Sequence, residues 1–211
     1  KFVSQVRVLH LLIVTFLSMI PRALRLFISW SGLILGLCAT LVGCEDSRHA
    51  MHTGIVYITR HGEKKWELGC LSAQGQARAQ HFVDVFNGTA FQVPRYIFAN
   101  WYDDPVDCER CNQTVSPLAS ALGLNIDLTH GGEHPGTGPN GGNAGAAAAI
   151  LHELKQTGGP VLATWEHLNI QYLTADLGVP KSSIPTWGGA DYDSIYVLEF
   201  DASEKLSSFW V

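Results

Sequence analysis

Short β-rich runs alternate with helical segments through residues 55–200, and that alternation leaves few architectures open. Ile55-Val56-Tyr57-Ile58-Thr59 is almost continuously apolar, as suits a strand covered on both faces. Further strands are expected at residues 96–100, 125–128, 161–164 and 194–200. One helix should be capped by Ser72 and run to about Phe86. A second should run from near Asp107 to Leu122, with Pro117 as a kink or break. Two more are expected over residues 146–156 and 167–177, the last closed by Gly178. Residues 130–145 are rich in glycine and read as an exposed loop. The expected fold is a three-layer α/β/α sandwich around a mainly parallel sheet, built by residues 55–211.

Open α/β sheets bind ligands at the carboxyl ends of their strands. Here the first strand ends at Arg60-His61-Gly62-Glu63, and the fourth at Trp165-Glu166-His167. The second leads into the segment that carries Arg110. The residue types able to do chemistry therefore converge on one rim.

Hydrophobic residues make up 46% of the chain and charged residues 16%, and much of the apolar excess precedes Cys44. Residues 1–44 read as a signal peptide or membrane anchor. With a start at Met19, Pro21-Arg22-Ala23-Leu24-Arg25 is a basic leader and residues 26–43 its apolar core. Leu41-Val42-Gly43-Cys44 also has the form of a lipidation site. Residues 45–54 are a linker. The domain is expected outside the cytosol, secreted or attached to a membrane through the N-terminal segment. Sequons at Asn87 and Asn112 agree with export. The net charge of -5 and the lack of a basic stripe exclude nucleic acid as a partner. An anionic ligand must be gripped by a few local cations.

Cys108-Glu109-Arg110-Cys111 is a CxxC that could serve redox chemistry or half a zinc site, but no second CxxC exists. The plainer alternatives are two half-buried thiols or a disulfide with Cys70. His130 and His134 sit in a loop and His152 on an unrelated helix, so neither a metal nor another cofactor is expected.

Tyr57-Ile58-Thr59-Arg60-His61-Gly62-Glu63 resembles the signature of the histidine phosphatase superfamily, the phosphoglycerate mutase-like proteins. Leu71-Ser72-Ala73-Gln74-Gly75-Gln76-Ala77-Arg78-Ala79 resembles the family's next block, and Arg110-Cys111-Asn112-Gln113-Thr114 its Arg-x-x-Gln-Thr block. Trp165-Glu166-His167 resembles the second-histidine block of a poorly characterised subgroup, which Asp191-Tyr192-Asp193 also fits. The blocks come in order across residues 55–200. Leu168 stands where acid-phosphatase members carry Asp, and Ser-x-x-x-Arg is missing before Arg110.

The resemblance implies a phosphatase for a small phosphorylated substrate. His61 would attack phosphorus and form phosphohistidine, since a neutral imidazole is a good nucleophile near neutral pH. Arg60 and Arg110 would hold the phosphoryl oxygens with forked contacts, and His167 in its protonated form would add a donor. The leaving oxygen needs a proton; Glu166 is favoured, with Glu133, Asp103 and Asp104 as alternatives. Glu63 would orient the pocket, and Arg78 would pair within the fold. Two other readings share the signature: a phosphoglycerate mutase-like phosphotransferase, and a phospho-ligand binder without turnover.

Overall fold

The computed structural model describes residues 54–66, 69–102, 109–132 and 138–211. The expectations for the N-terminal segment, the linker, Asp103, Asp104, Cys108, Glu133 and His134 therefore lie outside the described residues.

The first strand, β1 (Gly54–Arg60), is buried along nearly its whole length because it runs through the middle of the sheet. α1 (Ala73–Val85) follows, then β2 (Tyr96–Ala99), α2 (Arg110–Leu122) and β3 (Ile126–Asp127). α3 (Gly142–Thr157), β4 (Val161–Trp165), α4 (His167–Asp176), β5 (Tyr196–Phe200) and β6 (Leu206–Trp210) complete the order. The strands lie in the order β3-β2-β4-β1-β5-β6. β3, β2, β4 and β1 are mutually parallel; β5 is antiparallel to β1, and β6 to β5. This is the expected α/β/α sandwich with a mainly parallel sheet.

The period of two along each strand divides the core into two layers. Val56, Ile58, Ala163 and Leu198 face α3 and α4, where Ile150, Leu154, Ile170 and Leu173 meet them. Tyr57, Leu162, Ile97 and Val197 face α1 and α2, against Phe82, Val115 and Leu118. Each such side chain contributes about 1.5–3 kcal/mol when fully buried. This two-sided burial is why the central strands read as unbroken apolar runs.

α1 starts where the sequence predicts. The Ser72 hydroxyl accepts the N–H of Gly75 at 3.2 Å and caps the first turn. Gly75 is required there by close approach: a Cβ on it would lie 2.2 Å from the Glu63 carbonyl oxygen. The helix thereby packs directly on the turn that follows β1.

Three elements differ from the sequence reading. Pro117 neither breaks nor splits α2, because Val115, Leu118 and Ala119 bury the helix against the sheet and outweigh the proline's cost of about 3 kcal/mol. α3 begins at Gly142, inside the expected loop, since the Asn143 side chain is buried and accepts the Trp165 indole N–H at 2.8 Å. β6 follows the strand expected to be last. It is an edge strand of mixed polarity, and so lacks a continuous apolar run.

Candidate active site

Arg60 and Trp165 are register partners in β1 and β4. The residues that follow them, His61 and Glu166 with His167, are therefore neighbours on one rim. The backbone N–H of His61 donates to the Trp165 carbonyl at 3.3 Å and continues the ladder into the site. Glu166 takes the extended N-cap position of α4, and His167 is the first helical residue. Arg110 opens α2 from the other side. The structure brings together all five residues singled out by sequence: Arg60, His61, Arg110, Glu166 and His167. Arg60, His61, Arg110 and Glu166 are buried, while His167 is half-buried.

His61 is held from both ends of its ring. Nδ1 lies 2.7 Å from the Gly62 carbonyl oxygen. A carbonyl only accepts, so Nδ1 carries the proton and the lone pair of the neutral ring is on Nε2. Nε2 lies 3.3 Å from Glu166 Oε2. The approach is not aligned as a hydrogen bond, for Nε2 has no hydrogen-bond partner among the described residues. Burial pushes the imidazole pKa below its ordinary value, against smaller opposing effects of Glu166 and the Gly62 carbonyl. His61 is therefore neutral at pH 7.

Glu166 is the anion at the centre of the cluster. Its Oε2 accepts from Arg110 Nη2 at 2.9 Å and from the Tyr102 hydroxyl at 3.2 Å, while Oε1 is in ion-pair contact with His167 Nδ1. Burial pushes its carboxyl up, but His167, His61 and Arg110 outweigh burial and hold it well below the usual carboxylate range. In this arrangement Glu166 is ionised.

The Arg-x-x-Gln-Thr block has a structural account beyond its arginine. Thr114 Oγ1 accepts the backbone N–H of Gly62 at 2.9 Å and donates to the Arg110 carbonyl at 2.8 Å. The Gln113 side-chain oxygen accepts the N–H of Leu71 at 2.9 Å. Arg78 pairs with Glu63 at 2.8 Å and reaches Asp193, so both serve the turn beneath the pocket.

Sequence reasoning missed two aromatic residues. Tyr102 places its ring 4.3 Å from the Arg110 guanidinium, and Tyr192 places its own 3.8 Å from that of Arg60. Only the Asp191-Tyr192-Asp193 resemblance pointed toward the second. Of the CxxC, only Cys111 is among the described residues: it is a free, fully buried thiol whose pKa burial pushes up, and its Sγ lies 3.0 Å from the Tyr102 hydroxyl. Cys70 is disulfide-bonded.

His61, Glu166 and His167 offer donor atoms within 4.8 Å of one another, a set that could hold a cation. Arg110 already places a guanidinium on that carboxylate, and a second cation would face its charge across a buried space. The cluster suits an anion better: it holds two buried arginines, of which one guanidinium lies on the carboxylate, beside an imidazole lone pair.

No family model matches the sequence, and no curated protein matches it. Solved structures do share the fold. One is the protein histidine phosphatase SixA complexed with tungstate, 17% identical with a TM-score of 0.50, the match covering 74% of this chain and 94% of that one. Another is a mycobacterial glucosyl-3-phosphoglycerate phosphatase in complex with inorganic phosphate, 21% identical with a TM-score of 0.51, covering 74% of this chain and 95% of that one. Both are histidine phosphatase superfamily members, so the fold is the phosphoglycerate mutase-like one expected from the sequence.

Proposed function

We propose that this protein hydrolyses phosphomonoesters through a phosphohistidine on His61. One observation carries the reading: the bond from Nδ1 to the Gly62 carbonyl leaves the reactive lone pair on Nε2, beside the Arg110–Glu166 pair and the His167 ring. That the two structural neighbours are phosphatases, bound to tungstate and to inorganic phosphate, supports an oxyanion in this pocket.

In the resting site the Glu166 carboxylate lies 3.3 Å from the nucleophilic nitrogen. A phosphoryl group reaches Nε2 by displacing the Glu166 carboxylate from it, with its oxygens taken up by the two guanidiniums and His167. Nε2 forms a bond to phosphorus as the bond to the leaving oxygen breaks. Glu166 has by then lost its cationic partners to the phosphoryl oxygens. Burial, the largest influence on it, now raises its pKa, so it takes up the proton that a monoanionic phosphomonoester brings and gives it to the leaving oxygen as the O–P bond breaks. Water then attacks phosphorus, giving a proton to the Glu166 carboxylate, and the N–P bond breaks; that proton leaves with the phosphate. Inorganic phosphate leaves and the neutral imidazole is restored.

The deciding experiment is hydrolysis of an aryl phosphate by the wild type and by His61→Asn, with rapid quenching to trap the intermediate. Acid-labile phosphate on the wild type, absent in the variant together with turnover, supports the reading. Turnover that survives in the variant overturns it.

The N-terminal segment belongs to the same proposal: it exports the domain or attaches it to a membrane. The disulfide at Cys70 favours an oxidising compartment.

A further inference from the structure

Arg60 is held by a loop more than a hundred residues away in sequence. Its Nη1 donates to the Gly189 and Asp191 carbonyls, both at 2.9 Å, and more weakly to that of Gly188 at 3.4 Å. The Asp191 carbonyl also accepts the Trp187 indole N–H at 2.9 Å, and the Trp187 ring packs on Tyr196 with centroids 4.7 Å apart. The Asp191 carboxylate fixes the next turn by accepting the Ser194 hydroxyl at 2.6 Å and the N–H groups of Asp193 and Ser194, each at 3.0 Å. A loop braced in this way presents its carbonyls in a fixed array.

Tyr192 completes the arrangement. Its ring lies 3.8 Å from the Arg60 guanidinium carbon, and its centroid is 6.4 Å from that of His61. Arg78 approaches the same ring at 5.7 Å, so Tyr192 stands between the arginine of the site and the Arg78–Glu63 pair beneath it. Nη1 is thus directed at the loop and one face of the guanidinium is covered. The buried Nε has no hydrogen-bond partner among the described residues. An arginine 3% exposed with an unsatisfied Nε is held ready for an acceptor that is itself an anion.

We propose that Tyr192 is a positioning residue that, with the Gly188–Asp191 carbonyls, fixes the rotation of Arg60 so that its Nε side meets the phosphoryl oxygens. The proposal rests on the reading that the pocket takes a phosphoryl group. A flexible arginine side chain would otherwise have to be ordered by each substrate as it bound.

The test has one arm that needs no turnover. The Nε–H resonance of Arg60, assigned by its loss in Arg60→Lys, is followed by NMR in the wild type, Tyr192→Phe and Tyr192→Leu. The ring face is kept in Phe and lost in Leu. Clamping predicts a sharp, exchange-protected signal in the first two, and a shifted, rapidly exchanging one in Tyr192→Leu. The second arm measures kcat, KM and orthovanadate inhibition in the same proteins and in the double variant. Removing a cation–π contact and its positional restraint should lower kcat/KM and vanadate affinity about tenfold in Tyr192→Leu. In the Arg60→Lys background the same change should have less than about a twofold effect, because the group it acts through is gone.

An Arg60 signal indifferent to Tyr192→Leu overturns the proposal. So does an effect of Tyr192→Leu that is undiminished in the Arg60→Lys background. A wild type that neither turns over nor binds vanadate sinks the phosphatase reading instead, and the resonance arm still decides whether Tyr192 orders Arg60.

Discussion

The Thr114 hydroxyl bridges Gly62 and Arg110, accepting from the one at 2.9 Å and donating to the other at 2.8 Å. A single side chain therefore ties the turn that holds His61 to the helix end that carries Arg110. Thr114→Val keeps the shape and removes both bonds, leaving the buried Gly62 N–H unsatisfied. The expected cost is about 1–3 kcal/mol of stability, read as a lower urea midpoint, with activity lost in parallel. Thr114→Ser keeps the bridge and should stay close to the wild type.

Glu166 has opposite effects on binding and on chemistry. In Glu166→Gln the charge next to the anion site is gone while the packing remains. Orthovanadate should bind about tenfold more tightly, and kcat should fall by about 10²–10⁴ with the loss of the proton donor. Weaker vanadate binding in this variant would contradict the arrangement described for the resting site.

Acid should destabilise the protein through His61. Its folded pKa lies below the ordinary 6.5, so between that depressed value and about 6.5 the unfolded chain binds more protons than the folded one. Stability from this group is complete above about pH 6.5 and is lost as the pH falls through that window. Glu166 acts in the same sense lower down. Its carboxyl is held below the usual range, so its contribution is present above about pH 4.3 and lost as pH falls toward the folded value. Urea midpoints measured from pH 8 to pH 4 should fall less steeply for His61→Asn than for the wild type.

The approach of α1 to the turn after β1 can be probed at Gly75. A Cβ there meets the Glu63 carbonyl oxygen at 2.2 Å, and that atom belongs to the backbone, which cannot swing aside. Gly75→Ala should cost about 1–3 kcal/mol although alanine is the better helix former. A thermal melt equal to the wild type's would count against this packing.

What the sequence made legible was local. The buried strands showed as unbroken apolar runs, and Ser72 marked the start of a helix. Arg60-His61 and Glu166-His167 could be placed on one rim because each pair lies where a strand ends. What stayed hidden depends on pairs distant in sequence. Nothing near Arg60 indicates that the carbonyls of residues 188–191 will orient it, and nothing near Gly62 announces Thr114. The side-chain direction of Glu166 was equally invisible, since it follows from extended backbone at the N-cap of α4. Asn143 shows the same limit from the other side. Its glycine-rich neighbourhood argued for a loop, yet its bonds to Trp165 and Asn169 place it in a helix.

The pairing of Arg60 with Trp165 also bears on how such a chain can change over generations. Side chains alternate between the faces of a strand, so adding or deleting one residue in β1 or β4 would turn the following pair toward the opposite layer. Insertions in these two strands should be purged from descendants. The loops can lengthen, shorten and drift in sequence, provided that the braced turn at residues 187–194 survives.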